Sequence, residues 1–278
     1  MPHTADMRCE EIIQRLEQGY PLSCAEEWDN PGLQVGRRNR EVRKIFVALD
    51  ATEQTIREAV EWGADLMITH HPLLFHSIKQ VNDDSFIGRR ILTLIENDVN
   101  CYAMHTNFDV LGMAELNENQ LNLQNAHVLD VTRENEGVEE GIGRVGDLEE
   151  PMTLYDFSVT VRRAFGLSTV RCYGLKELEE NEEESGDDGL LVSRVAVCGG
   201  SGKSLIDRAI DEGAQVLVTG DVDYHSAIDA MARGLYIIDA GHYGTEYCFI
   251  DYMVKKLTKL FPECKVRGAK IIPPFTVI

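Results

Sequence analysis

Apolar residues along this chain fall either into short continuous runs or into helical spacing. Ile12, Ile13 and Leu16 share one stripe, which predicts a helix over Glu10–Leu16 that ends before Gly19-Tyr20-Pro21. Asp29-Asn30-Pro31-Gly32 is turn chemistry, and Leu33-Gln34-Val35 reads as a short strand. Ile45–Leu49 is a β-branched apolar run and predicts a strand. Thr52 can cap a helix running to about Trp62, with Ile56, Ala59 and Val60 inward and Gly63 as its stop. Leu66–Thr69 predicts a second strand, running into His70-His71-Pro72; Phe86–Glu96 predicts a helix and Cys101–Met104 a third strand.

The same grammar returns after residue 190. Strands are predicted at Arg194–Cys198, Gln215–Thr219 and Leu235–Asp239, and helices at Ser204–Glu212, Asp223–Arg233 and Tyr243–Leu260. At an offset of 150 residues, Val47, Ile56, Ala59, Gly63, Ala64 and Thr69 meet Val197, Ile206, Ala209, Gly213, Ala214 and Thr219 without a gap. At an offset of 137, Ala103 and His105 meet Ala240 and His242, and Asp109 meets Glu246. The expected class is α/β: two related, intertwined α/β repeats with mostly parallel or mixed sheets covered by helices. Residues 1–125 form the first repeat in this reading, and residues 191–278 form the second, which completes the site. Residues 126–190 connect them. Within that segment Thr153–Phe165 predicts a helix and Glu134–Glu140 a solvated loop, while Glu177–Asp188, with eight acids in twelve residues, predicts a linker.

Composition narrows the function classes. Of 278 residues, 27 are Lys or Arg and 47 are Asp or Glu, so the formal charge is −20. Such a chain repels a phosphate backbone, which disfavours nucleic acid as a partner. No apolar run is long enough to span a membrane, and residues 1–11 lack the apolar core of a secretory signal. The seven cysteines are scattered with no CxxC pair, so neither a disulfide framework nor a thiolate zinc site is indicated, and a reducing cytoplasm is the expected setting.

The candidate chemistry gathers where strands end. His70 and His71 stand together at the carboxyl end of an apolar strand, where open α/β sheets place their sites, and Pro72 holds His71 extended. His105 and Asp109 form His-x-x-x-Asp after another strand; His242 and Glu246 form His-x-x-x-Glu after the equivalent strand of the second half. Residues four apart share a helix face, so imidazole and carboxylate can reach one point. Each motif alone reads better as a helix-start histidine with a solvated acid; that reading weakens because both motifs follow equivalent strands in a repeat. Mixed imidazole and carboxylate donors suit Zn, Fe, Mn or Co, and five of them exceed what one open catalytic ion needs. Two divalent ions sharing a carboxylate fit the count and would bring water ionisation near neutral pH. Asp221 occupies the position equivalent to His71, as a group near the site or as a helix cap. Gly199-Gly200-Ser201-Gly202-Lys203-Ser204 misses the phosphate-loop pattern because Val197 stands where its first glycine belongs; a tight strand-to-helix turn is the preferred reading, anion contact the other. His3, His76 and His127 are expected to be surface or packing residues.

With these residues in view, the chain resembles the Nif-three-like family, also called dinuclear metal-centre proteins or GTP cyclohydrolase I type 2 homologues. The resemblance runs through Trp28–Gly36, Ile68-Thr69-His70-His71-Pro72-Leu73, His105-Thr106-Asn107-Phe108-Asp109, Gly141–Gly146, Gly199-Gly200-Ser201-Gly202, Thr219-Gly220-Asp221 and Gly241-His242-Tyr243-Gly244-Thr245-Glu246, in family order. It implies a two-metal site held by His70, His71, Asp109, His242 and Glu246, with Glu246 bridging and His105 as a nearby catalytic residue. It also implies a short form without an inserted middle domain, and a hexameric ring. The expected function is metal-dependent hydrolysis of a nucleotide-like or phosphorylated small molecule; the alternative is a non-enzymatic metal-binding regulatory or interaction protein.

Overall fold

The computed structural model describes residues 7–176 and 191–276. The chain divides into two compact units, Met1–Phe108 with Tyr247–Ile271, and Asp109–Glu246 with Ile272–Ile278. The acidic stretch Glu177–Asp188 and His3 lie outside the described residues.

The first unit is built on a five-stranded sheet in the order Lys265–Gly268, Lys44–Ala48, Leu66–Thr69, Asn100–Ala103, Gly32–Val35. The first four strands run parallel, in the register Gly268↔Val47, Val47↔Ile68 and Ile68↔Tyr102; Gly32–Val35 is antiparallel at the edge. Crossover helices Glu53–Trp62 and Phe86–Glu96 satisfy their first-turn N–H groups with the Thr52 and Ser85 hydroxyls, which accept from Thr55 and Gly88. Phe46, Ala48, Ile56, Ala59, Met67, Ile91, Leu94 and Cys101 form one buried core. Because three parallel strands end on the same side, Asp50, His70 with His71, and His105 all emerge from one edge of this sheet.

The second unit carries a six-stranded mixed sheet in the order Gln124–Asn135, Val138–Thr153, Leu191–Ser201, Val216–Gly220, Tyr236–Asp239, Arg171–Tyr173. Its three middle-to-late strands, Leu191–Ser201, Val216–Gly220 and Tyr236–Asp239, are parallel, with Val197↔Val218 and Val218↔Ile238 in register. The expected α/β class with repeated halves holds, down to the helix stops. Gly63 and Gly213 both adopt left-handed φ (74° and 72°), and Ala64 and Ala214 donate back to Ala59 and Ala209 at 2.9 Å each.

Three local expectations differ from the structure. Glu134–Glu140 is strand, turn and strand rather than loop: Glu134 and Asn135 pair with Glu139 and Val138 across Glu136-Gly137, both at positive φ. A two-residue turn of that kind closes a hairpin even between acidic, solvated strands. The helix expected over Tyr243–Leu260 is two, His242–Glu246 and Cys248–Leu260. The helix expected over Ser204–Glu212 opens with a 3-10 turn at Lys203–Leu205 before Ile206–Asp211. Among the described residues, which include all seven cysteines, no disulfide forms, and no helix is long and apolar enough to cross a membrane.

Candidate metal centre

In the first unit three imidazoles come together. The His70 and His71 rings lie 5.0 Å apart, and His105 lies 5.3 Å from the first and 5.6 Å from the second. One ring nitrogen from each falls within the span that a single metal ion could bridge. His70 is fully buried at its strand end, an expensive place for an imidazole without a polar role.

Each ring is aimed by an oxygen at Nδ1. His70 Nδ1 lies 2.8 Å from the Met104 carbonyl oxygen. A carbonyl only accepts, so His70 carries its proton on Nδ1 and presents Nε2 as a lone pair in the neutral form. His71 Nδ1 lies 2.8 Å from Asp50 Oδ1, and His105 Nδ1 lies 2.8 Å from Asp29 Oδ1. Asp29 also accepts from the Thr106 backbone N–H (3.0 Å) and hydroxyl (2.5 Å) at Oδ2. Burial alone would raise the Asp29 carboxyl, but the hydrogen bonds from His105 and Thr106 outweigh it and hold it down at about 2.

The second unit repeats the device on its own side chains. His242 opens the His242–Glu246 helix, and one turn later Glu246 Oε2 sits 3.2 Å from His242 Nε2. His242 Nδ1 lies 2.8 Å from Asp221 Oδ2. Burial would lower the His242 imidazole, but the Glu246 and Asp221 carboxylates outweigh it and push it up to about 9. Asp221 itself adopts a left-handed φ of 55°, uncommon away from glycine and tolerated by Asp. Asp109 begins the π-helical turn Asp109–Met113, a widened geometry frequent at functional positions. Burial, then the charges of Asp109 and Glu246, push the Cys198 thiol well above its ordinary range, and a carboxylate oxygen of Asp109 lies within 4.8 Å of one of Glu246.

The glycine-rich segment, expected as a tight turn, is the irregular end of the Leu191–Ser201 strand, and it lies against this helix. Gly200 N–H donates to Thr245 Oγ1 at 2.9 Å and Gly202 N–H to Thr219 Oγ1 at 2.8 Å, so these donors are committed to the fold rather than to a phosphate. A Cβ on Gly200 would collide with Glu246 Oε1 and press on His242 Nε2 at 3.3 Å. Gly220 likewise has no room for a Cβ against the Gly241–His242 backbone. Gly200 and Gly220 therefore make room for Glu246 and His242.

Asp29 and Asp50 are the site residues that sequence reasoning missed. Asp29 was legible only as part of a turn, and it does accept from Asn30 N–H at 2.7 Å. Asp50 follows the Lys44–Ala48 strand, and its position at a strand's carboxyl end was the available signal. Asp221 does hold a site histidine, one of the two roles expected for it. His127 is a surface residue, 2.9 Å from Glu212.

Fold and donors together define an α/β protein with histidines and carboxylates at the carboxyl ends of parallel strands. The family model described as Duf34/NIF3 (NGG1p interacting factor 3) matches residues 7–273, and the chain belongs to this family. A Clostridium perfringens protein named "GTP cyclohydrolase 1 type 2 homolog" is 35% identical over 243 residues, covering 87% of each chain. A Streptococcus pneumoniae protein of the same name is 34% identical over 269 residues, 96% of each chain. Among solved structures, the Bacillus cereus protein related to NIF3 matches with a TM-score of 0.86 at 27% identity, covering 98% of this chain and 100% of that one.

Proposed function

We propose that this protein is a metal-dependent hydrolase of a nucleotide-like or phosphorylated small molecule, with two divalent ions held by His70, His71, Asp109, His242 and Glu246. The observation that carries this reading is the shared anchoring of four imidazoles. Met104 O, Asp50, Asp29 and Asp221 each hold an Nδ1 at 2.8 Å. For His70, His71 and His242 such an oxygen partner fixes the ring and its tautomer where Nε2 is to bind a cation and raises its basicity; for His105 it aims Nε2 at the substrate. The donors contain no thiolate, which fits Zn, Fe, Mn or Co.

Bound divalent ions would supply Lewis acidity and ionise water near neutral pH. The protein's own part is orientation and proton handling. Asp29 holds the His105 ring by Nδ1, so in the neutral form Nε2 is the atom that takes a proton at the substrate, and from the imidazolium the same atom gives it back. Glu246, 3% exposed, is the carboxylate that this reading shares between the two ions. Assembly into a hexamer is part of the same reading.

A metal-loaded preparation is to be screened against nucleotides and phosphoesters. Turnover that His71→Ala abolishes supports the enzyme. Silence across the panel, with tight capture of a protein partner, supports the second reading, a non-enzymatic metal-binding regulatory protein. The observation favouring that reading is the glycine-rich segment, whose Gly200 and Gly202 N–H groups are already taken by threonines.

A further inference from the structure

We propose that Trp28 and Phe75 form an aromatic platform beside His105 that stacks a planar nitrogen heteroaromatic ring and sets its edge at the histidines. This deepens the hydrolase reading and rests on it for the substrate's role. The three rings form a closed triangle: Trp28 lies 5.9 Å from Phe75 and 6.0 Å from His105, and Phe75 lies 6.2 Å from His105. All three pairs meet edge to face, at 62°, 78° and 80°. That is the attractive arrangement of aromatic quadrupoles, and with 62° between Trp28 and Phe75 a planar ligand stacks on the face of one and meets the other edge-on.

The two apolar rings are nevertheless open to solvent, Trp28 to 60% and Phe75 to 44%. Their backbones are not loose. Gln34 bridges the two loops: its amide donates to Asn30 O at 2.7 Å and its carbonyl accepts from Leu74 N–H at 3.1 Å. Asn30 Nδ2 donates to Leu74 O at 2.7 Å. Asp29, next to Trp28, is pinned to His105 and Thr106. Exposed aromatic rings on a fixed backbone pay little ordering entropy when a ligand arrives, the property that makes them binding surfaces.

Size selects the occupant. Two rings of this kind expose roughly 200 Å² together, far below the roughly 1,200 Å² of a stable protein interface but comparable to one face of a small heterocycle. Every base offers a π face to such a platform, and a ring nitrogen or carbonyl at its edge would suit the imidazoles beside it. The platform thus assigns a recognition element that the glycine-rich segment does not provide.

Trp28 reports on its own site. In a Trp62→Phe chain it is the single tryptophan, since the sequence has two. Guanosine, adenosine and cytidine are to be titrated against its emission, with ribose 5-phosphate as the ring-free probe. Saturable quenching by at least one nucleoside, absence of quenching by ribose 5-phosphate, and at least tenfold weaker binding in Phe75→Ala with recovery in Phe75→Tyr are expected. Trp28→Phe in the natural chain, which leaves only Trp62, is expected to lose the signal. No quenching by any nucleoside at millimolar concentration, or equal quenching by ribose 5-phosphate, would overturn the proposal. So would Trp28 emission that shifts with protein concentration, because a second copy would then cover the ring. Quenching by a chain shown to hold no metal would keep the platform and remove the hydrolase reading; two bound ions without quenching would do the reverse.

Discussion

The Asp29 carboxylate holds His105 by its Nδ1 at 2.8 Å, across 76 residues of sequence. The same Asp carries two hydrogen bonds from Thr106, so one acid fixes both the imidazole and the start of the Thr106–Phe108 helix turn. Replacing Asp29 by Asn keeps the shape and removes the charge. Partners of this kind typically govern roughly 10- to 100-fold in metal affinity or activity. Asp29→Asn is therefore expected to lower turnover, or affinity for added metal, by that order while the chain stays folded by circular dichroism. Unchanged values would show that His105 needs no orientation from Asp29.

The same acid predicts an acid-sensitive window. Its carboxyl is held at about 2, below its unfolded value, so the folded state gains stability above roughly pH 4 and loses it as pH falls toward 2. The contribution is about 2 kcal/mol. Chelated wild-type protein should lose more stability than chelated Asp29→Asn between pH 5 and pH 2, read as the shift in urea midpoint. Parallel pH profiles would contradict this.

Gly200 and Gly213 form a matched contrast, with left-handed φ of 64° and 72°. Alanine at either position carries the backbone strain, about 1 kcal/mol. Only at Gly200 would the new methyl also meet Glu246 and His242; at Gly213 nothing lies within 4 Å. Gly200→Ala should strip the protein of metal, whereas Gly213→Ala should lose a few degrees of melting temperature and keep its metal.

His242 predicts proton release. Its imidazole is pushed up to about 9 in the metal-free chain, so that chain gains stability from it below about pH 6.5 and loses that gain as pH rises through 9. Metal needs the neutral ring, so binding at pH 7 should displace close to one proton from this residue and tighten toward pH 9. Calorimetry in buffers of different ionisation enthalpy measures the release. His242→Gln should bind fewer ions and release about one proton fewer.

Much of this was legible because strand ends are local. Leu66–Thr69 is a short apolar run, and the His70-His71-Pro72 segment directly after it had to emerge at a sheet edge. The repeat was legible in residues such as Ala59-Gly63-Ala64 and Ala209-Gly213-Ala214, which build the same helix stop twice. The partners of the imidazoles were not legible. Asp29 and His105 share no periodicity, and only folding brings them within hydrogen-bond distance. The Gln124–Thr153 hairpin was hidden because its acidic, solvated positions carry no apolar alternation strong enough to outvote a loop. The Gly199–Gly202 segment, expected as a tight turn, is instead the irregular end of the Leu191–Ser201 strand, whose register shifts between Val197 and Ser201, and its closeness to Glu246 is a tertiary fact.

Elemental analysis of protein purified without chelators tests the central claim most directly. Close to two divalent ions per chain are expected, falling in Glu246→Gln together with any hydrolytic rate. One ion or fewer in the natural chain, or the same stoichiometry after Glu246→Gln, would contradict it.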